Sequence, residues 1–526
     1  MSSSFDSLPP ELATDIAQFL PNSSLKSLMR CSQKLYSIYS SFLYASLELS
    51  FLESLESPTF RPRTLSWAKD RCLQHVKHVR FIDRSPTPKI EDAKTYQDLV
   101  KHQVYPFIKR LPLDRILTFD WNPGLGIAPC YIFDCFQMFQ NLQKLAIPLA
   151  TVEFWDIDDL VPVKLTQLTH LRLFRVPRTY SALKAARILV SSAEKLKHLR
   201  FECCEENDKA KVNQSRANNL FRGSVSGLNT EKLREVVGRT IYRILSERKL
   251  QSLYIENVPI HEDIAPCLTN RCLEELTLRN ISNLRCLHEV FDNHSFKLRT
   301  LHILAGEADL YCFQSMIRQC LEDGLEELTI LSTDRWDSPH EVLANMRFQH
   351  TLNLRCLAVG RSFSHSPELD FLQSCPLQEI SFGIVNYEEH IEAEIDHKWI
   401  RSTLPNSVRV IYLMAWDPSD YVNIDRGTLI ETLSKTLQTF LRRCFTKRNS
   451  CAEPMLRYIV LGNRLNLGFT VQWARNRSPI VAGNWLPVID AFDFAAKYDK
   501  LNENFRLYNA VIQTGIEPRY RLPSFR

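Results

Sequence analysis

Cysteine, histidine and the carboxylates are the residues able to carry out chemistry, and their spacing in this chain suits none of the familiar reactions. The 15 cysteines are scattered, with no C-x-x-C among them. Cys267 and Cys272 have only distant histidines, a spacing that suits no zinc site. Cys203 and Cys204 sit at the end of an alternating apolar stretch. Buried, reduced thiols account for all four better than metal or redox roles do. G-x-S-x-G, H-E-x-x-H and G-x-x-x-x-G-K-[ST] do not occur. Gly124-Leu125-Gly126 follows Asn122-Pro123 and reads as a turn. The sequence therefore assigns no catalytic residue, no metal ligand and no cofactor, and the chain is expected to be no enzyme.

Side chains suited to binding are easier to find. Polar residues alternate with leucines in a series of short segments: His78 and Arg80; Lys144; His170, Arg172 and Phe174; His198, Arg200 and Glu202; Ser252, Tyr254 and Glu256. The series continues through Glu275, Thr277 and Arg279; Thr300 and His302; Glu327 and Thr329. Arginine, lysine and histidine pair with carboxylates and phosphates, so one reading is a basic recess for an acidic or phosphorylated segment of a target. The other is a solvated sheet face that happens to be polar. The candidate target-binding residues are His170, Arg172, His198, Arg200, Tyr254 and Arg279. A net charge of +5 spread over 526 residues disfavours a general nucleic-acid binder, which would carry a strong basic stripe. With 44% apolar and 24% charged residues the composition is that of an ordinary soluble protein. No apolar run is long enough for a membrane span, and Met1–Leu12 lacks the pattern of a secretion signal, so an intracellular protein, cytoplasmic or nuclear, is expected.

The elements that would position these side chains are repeats. L-x-x-L-x-[LIF] begins at Leu142, Leu168, Leu196, Leu250, Leu273, Leu298, Leu325, Leu354 and Leu377, with weaker copies at Val76, Leu113, Val408 and Leu456. Most starts are 23 to 29 residues apart, and the 54-residue step from Leu196 to Leu250 spans two periods and a polar insertion near 205–229. This period resembles that of leucine-rich repeats, in which short parallel strands stack and intervening helices cover one side. Helices are expected over Ser181–Lys195, Thr230–Ser246, Leu284–Phe291, Leu310–Leu321 and Glu341–Met346. Phe469–Trp473 and Trp485–Ala491 read as closing elements, and Phe492–Val511 as a helix before a basic tail, Arg519–Arg526.

Ahead of the repeats, Leu8-Pro9-Pro10-Glu11 opens a helix. Pro10 suits its first turn, and Leu12, Ile16, Phe19 and Leu20 recur at helical spacing. Leu25, Leu28 and Met29 follow on a second helix, and Leu35, Ile38, Tyr39, Phe42 and Leu43 on a third. The run L-P-x-E-L-x-x-x-I-x-x-F-L, a leucine-bearing second helix and a closing apolar cluster resemble an F-box. Cys31-Ser32-Gln33-Lys34-Leu35 stands where many F-boxes carry V-C-[KR]-x-W, and Leu43-Tyr44 where a tryptophan closes the motif.

The resemblance implies an α/β protein: a small three-helix F-box at 5–46, linker helices at 47–75, an irregular leucine-rich-repeat solenoid at 76–463 with a parallel concave sheet and outer helices, and a cap with a basic tail at 464–526. It further implies that Leu8, Pro9, Glu11, Leu12, Ile16, Leu20, Leu25 and Leu28 bind the Skp adaptor, and through it a cullin scaffold. The repeats would hold an unidentified protein substrate for ubiquitylation. A cullin-independent scaffold in a Skp-adaptor complex is the alternative.

Overall fold

The computed structural model describes residues 9–20, 22–53, 58–61, 70–83, 98, 100–122, 138–149, 164–204, 230–258, 264–268, 271–281, 297–305, 314–332, 343, 352–359, 372, 374–384, 407–408, 410–415, 458–461, 471–475 and 485–489. The chain forms two compact units, Met1–Asn257 and Val258–Arg526.

The N-terminal unit opens with three helices, α1 (Pro10–Phe19), α2 (Asn22–Met29) and α3 (Gln33–Leu43). Pro9 and Pro10 set the entrance of α1, and Glu11 complements its positive end. Ser32 caps α3 by accepting the Leu35 amide at 3.1 Å. Ala13, Ala17, Leu25, Met29, Leu35 and Tyr39 form the core, with Leu20, Leu28, Ile38, Phe42 and Leu43 packed against it.

Only Tyr44 and Ala45 separate α3 from β1 (Ser46–Glu53). Where linker helices are expected over 47–75, the described residues form strand at 47–53 and 58–61 and a single short helix, α4 (Asp70–Leu73); residues 54–57 and 62–69 lie outside them. β1 pairs antiparallel with β2 (Pro58–Arg61) and parallel with β3 (His78–Asp83). The reason β1 is a strand is periodicity: Leu47 and Leu49 alternate with Glu48 and Ser50, a two-residue repeat that buries one side of a strand.

β3 continues through β4 (Thr118–Trp121), β5 (Lys144–Pro148), β6 (His170–Val176), β7 (His198–Cys203) and β8 (Ser252–Glu256), all in parallel register. Two buried rows run across these strands. One is Leu47, Val79, Phe119, Leu145, Leu171, Leu199 and Leu253; the other is Leu49, Phe81, Trp121, Ile147, Leu173, Phe201 and Ile255. Aromatic contacts thicken the second row, with the Phe81 and Trp121 rings 4.5 Å apart. A five-residue π-helical turn, Val100–Val104, leads into α5 (Tyr105–Ile108). Beyond it come α6 (Tyr180–Ser192), capped by Thr179, and α7 (Thr230–Ser246). Helix α6 packs against both α7 and β6, burying Ala182, Ala186, Leu189 and Val190, while α7 buries Ile241, Tyr242 and Leu245. Arg187 pairs with Glu247 at 2.8 Å across the two helices.

The starts of β3 to β8 repeat one arrangement. Two consecutive amides donate to the carbonyl of the residue just before the preceding strand: Lys77 and His78 to Ala45, Leu117 and Thr118 to Lys77, Gln143 and Lys144 to Leu117, Thr169 and His170 to Gln143, Lys197 and His198 to Thr169, Gln251 and Ser252 to Lys197.

The C-terminal unit repeats it, with Arg299 and Thr300 on Glu274, Glu326 and Glu327 on Arg299, Arg355 and Cys356 on Glu326, and Gln378 and Glu379 on Arg355. Its strands β9 (Glu275–Arg279), β10 (Thr300–Ala305), β11 (Glu327–Ser332), β12 (Cys356–Val359), β13 (Glu379–Ile384), β14 (Val410–Ala415) and β15 (Tyr458–Leu461) are parallel. β16 (Val471–Arg475) and β17 (Trp485–Ile489) then add antiparallel, the closing elements expected there. The described helices are α8 (Ala265–Leu268) and α9 (Gln314–Glu322), the latter burying Met316, Ile317, Cys320 and Leu321. Gly324, at φ +102°, ends α9 and lets the Leu325 amide reach back to the Cys320 carbonyl.

Every copy of L-x-x-L-x-[LIF], weak ones included, contains a strand. The helices expected at Leu284–Phe291 and Phe492–Val511 lie outside the described residues, as does that at Glu341–Met346 apart from residue 343. The insertion near 205–229 and the tail Arg519–Arg526 also lie outside them.

Two asparagines that follow strands adopt the left-handed conformation, Asn257 at φ 57° and Asn280 at φ 47°. Asn257 donates its side-chain amide to the Cys203 carbonyl at 3.0 Å, and its own carbonyl accepts from Arg178 at 2.7 Å. Asn257→Ala is expected to lower stability by about 1–2 kcal/mol in urea unfolding, and Asn257→Gly by less, because glycine keeps the backbone and loses only the side-chain bond.

Candidate functional site

Strict register brings the polar residues of the N-terminal unit into rows on the face opposite the leucines. The first row is Ser46, His78, Thr118, Lys144, His170, His198 and Ser252; the second is Glu48, Arg80, Asp120, Ala146, Arg172, Arg200 and Tyr254. His170, Arg172, His198, Arg200 and Tyr254 are thus brought together. Arg279 ends β9 in the C-terminal unit, half-buried beside Asn280.

The second row is neutralised by Asp120 within it and by Glu202 from the next row. Arg80 pairs with Asp120 at 3.3 Å. Arg172 grips both oxygens of Glu202, at 2.8 and 3.3 Å, and Arg200 binds the same carboxylate. Burial opposes the charge on Arg172, but the hydrogen bonds and charge of Glu202 outweigh it and raise its pKa. Burial raises Asp120 in spite of Arg80 and Arg172. Arg172 and Arg200 each also lie over a ring, Arg172 4.9 Å from Phe174 and Arg200 4.0 Å from Tyr254, whose hydroxyl donates to Glu256 at 2.6 Å. Phe174 is buried, and after it the β6 register to β7 shifts between Leu173 and Val176, where Arg175 adopts φ 50°. The sequence-stretch of arginines is therefore not a row of free cations.

The first row is different in kind. The His170 and His198 rings stack, with centroids 4.1 Å apart and planes 10° apart. Thr169 gives its hydroxyl proton to the Gln143 carbonyl, so its oxygen accepts from His170 Nδ1 at 2.9 Å. Burial, then His198 and Lys144, push His170 down to about 4. Burial, then Lys77 and Lys144, lower His78, whose Nδ1 lies 3.0 Å from the Thr118 hydroxyl.

In the C-terminal unit, Thr277, His302 and Thr329 are register neighbours. Thr329 is buried, and neither its Oγ1 nor His302 Nδ1 has a hydrogen-bond partner among the described residues. Burial holds His302 at about 4.

The cysteines divide. Burial pushes the Cys203 and Cys267 thiols up to about 12, too high for a nucleophile, whereas Cys272 is exposed, contrary to the buried expectation. Among the described residues no three His, Cys, Asp or Glu side chains are grouped to hold a metal ion, and no helix is long and apolar enough to cross a membrane.

The helical candidates also divide. Pro9 and Glu11 are exposed, Ile16, Leu20 and Leu28 half-buried, and Leu25 belongs to the core; Leu8 lies outside the described residues. Small Ala13 and Ala17 turn inward on α1, which leaves Leu12 51% and Phe19 74% exposed, with Tyr36 of α3 at 44%. Phe19 is the phenylalanine of the L-P-x-E-L-x-x-x-I-x-x-F-L run, whereas Tyr36 is an addition to it.

Glu202→Gln is expected to destabilise by about 1–2 kcal/mol, a modest figure because the two arginines are partly solvated, and a double-mutant cycle with Arg172→Gln should return a coupling near 1 kcal/mol. His302 has its folded pKa below its unfolded one. Its contribution is therefore intact above about pH 6.5 and lost as pH falls toward 4, by up to about 3 kcal/mol. The urea midpoint of the native chain should fall over that window more steeply than that of His302→Leu. Neither a protein-family model nor a curated protein sequence matches the chain.

Proposed function

We propose that this chain is the substrate-recognition subunit of a Skp–cullin–F-box ubiquitin ligase. In this reading the three helices are an F-box that binds the Skp adaptor, and the parallel repeats are a leucine-rich solenoid that holds a protein target for ubiquitylation. The observation that carries the reading is the outer side of α1. A helix that turns two alanines inward and leaves Leu12 and Phe19 in water gains by covering them, at roughly 1.5–3 kcal/mol for each large side chain fully buried. Leu12 and Phe19, two turns apart, lie on one face of α1 and offer exposed apolar surface that a docking protein could cover. That stripe occurs within the L-P-x-E-L register that resembles an F-box. The chain itself performs no covalent step in this reading. It positions the target, which raises the target's effective concentration near the loaded enzyme.

The alternative, a cullin-independent scaffold, needs the same docking surface and differs only in what the adaptor carries. Leu12→Ala/Phe19→Ala tests the reading in a pull-down from cells. Both side chains are exposed, so the helical unit should stay folded while the adaptor is lost, with affinity down by about a hundredfold if each truncation removes about 1.4 kcal/mol. Retention of the adaptor by the double variant would overturn the docking assignment. A cullin subunit recovered with the native chain selects the ligase over the scaffold.

A further inference from the structure

We propose that the row formed by His78, Thr118, Lys144, His170 and His198, together with the adjoining Lys77 and Lys197, binds an acidic segment of the target, rich in aspartate and glutamate. This rests on the target-receptor reading and names the chemistry of what is held.

Three observations lead to it. The first is which cations remain available. Arg80, Arg172 and Arg200 are taken by Asp120 and Glu202. Lys77, Lys144 and Lys197 are exposed, and none pairs with an acidic side chain among the described residues. The second is the field around the histidines. Among the described residues, the charges acting on His75, His78 and His170 come from Arg115, Lys77, Lys144 and His198, with no carboxylate beside them. A carboxylate arriving from outside would relieve this repulsion. The third is the contrast with the same strand positions in the C-terminal unit, which read Glu275, Thr300, Glu327, Cys356 and Glu379. Repeat geometry therefore does not require basic groups at the beginning of a strand.

The spacing favours a run of single charges over one multiply charged group. Successive strands lie about 4.8 Å apart, so the groups from β3 to β7 span roughly 19 Å, the length of about six extended residues. They do not converge on one point, as a phosphoryl group would ask. The row carries no Phe, Tyr or Trp to stack bases, and its His170 and His198 rings are already stacked on each other, which favours a peptide over single-stranded nucleic acid.

The test is fluorescence anisotropy at low salt, with the full chain and a labelled ten-residue glutamate peptide, against Lys77→Glu/Lys144→Glu and, as a milder pair, Lys77→Gln/Lys144→Gln. The expected result is binding that weakens at least tenfold in the reversed variant, less in the neutral one, and not at all in Glu275→Gln. Absence of binding, or equal binding by the reversed variant, would overturn the proposal. So would tighter binding of a neutral peptide bearing one phosphoserine, or of a ten-nucleotide uridine oligomer. Adaptor recovery with each variant separates the two readings: adaptor retained with no peptide binding sinks this inference alone, while adaptor lost from the native chain sinks the docking reading.

Discussion

Two neighbouring amides on one carbonyl is the interaction on which the arrangement depends. Lys197 and His198 share Thr169, and Thr169 and His170 share Gln143. Because both donors belong to the residues that begin a strand, the bond pins where the strand starts as well as which strand it joins. A slip of one residue would turn Leu199 and Phe201 to the polar face and bring His198 and Arg200 inward. Once the starting point is pinned on strand after strand, leucines fall into rows. The residues between them fall into rows as well, and the electrostatics follow by rows.

The two polar rows show how far position decides chemistry. His170 and Arg172 are two residues apart on one strand, yet they meet different surroundings. Arg172 faces Glu202 and Phe174 and is held by both, its charge supported by a partner. His170 faces His198 and Lys144, and its charge is opposed by what surrounds it. A basic residue in such a sheet is thus an adhesive or an attractor according to the row it occupies, and composition alone does not separate the two.

Much of this was legible in the sequence. The spacing of L-x-x-L-x-[LIF] located strands, and helices over Thr230–Ser246 and around residues 181–195 and 310–321 are found within a few residues of where helical periodicity put them. The pairing of charges was not. Glu202 lies two residues from Arg200 but thirty from Arg172, and only register brings all three together. On α1 the helical spacing pointed to one apolar face, Leu12, Ile16, Phe19 and Leu20; close approach of helices rewards the small Ala13 and Ala17, which turn inward, so Leu12 and Phe19 remain outside. The region after α3 misled for a related reason: a strand that enters straight from a helix has no leading L-x-x-L to announce it, and only the brief alternation of Leu47 and Leu49 does so.

That direct passage from helix to strand has a mechanical meaning. The carbonyl of Ala45, one residue past the turn that ends α3, receives the amides of Lys77 and His78. The helical bundle is therefore clamped to the sheet at the first rung, with no slack chain between them to act as a swivel. If α1 grips a partner, as proposed, that partner would sit against a bundle hydrogen-bonded straight to the sheet's N-terminal edge rather than hang from a tether. Angular tolerance toward a third molecule would then have to be supplied by that molecule, through its own length and pliancy.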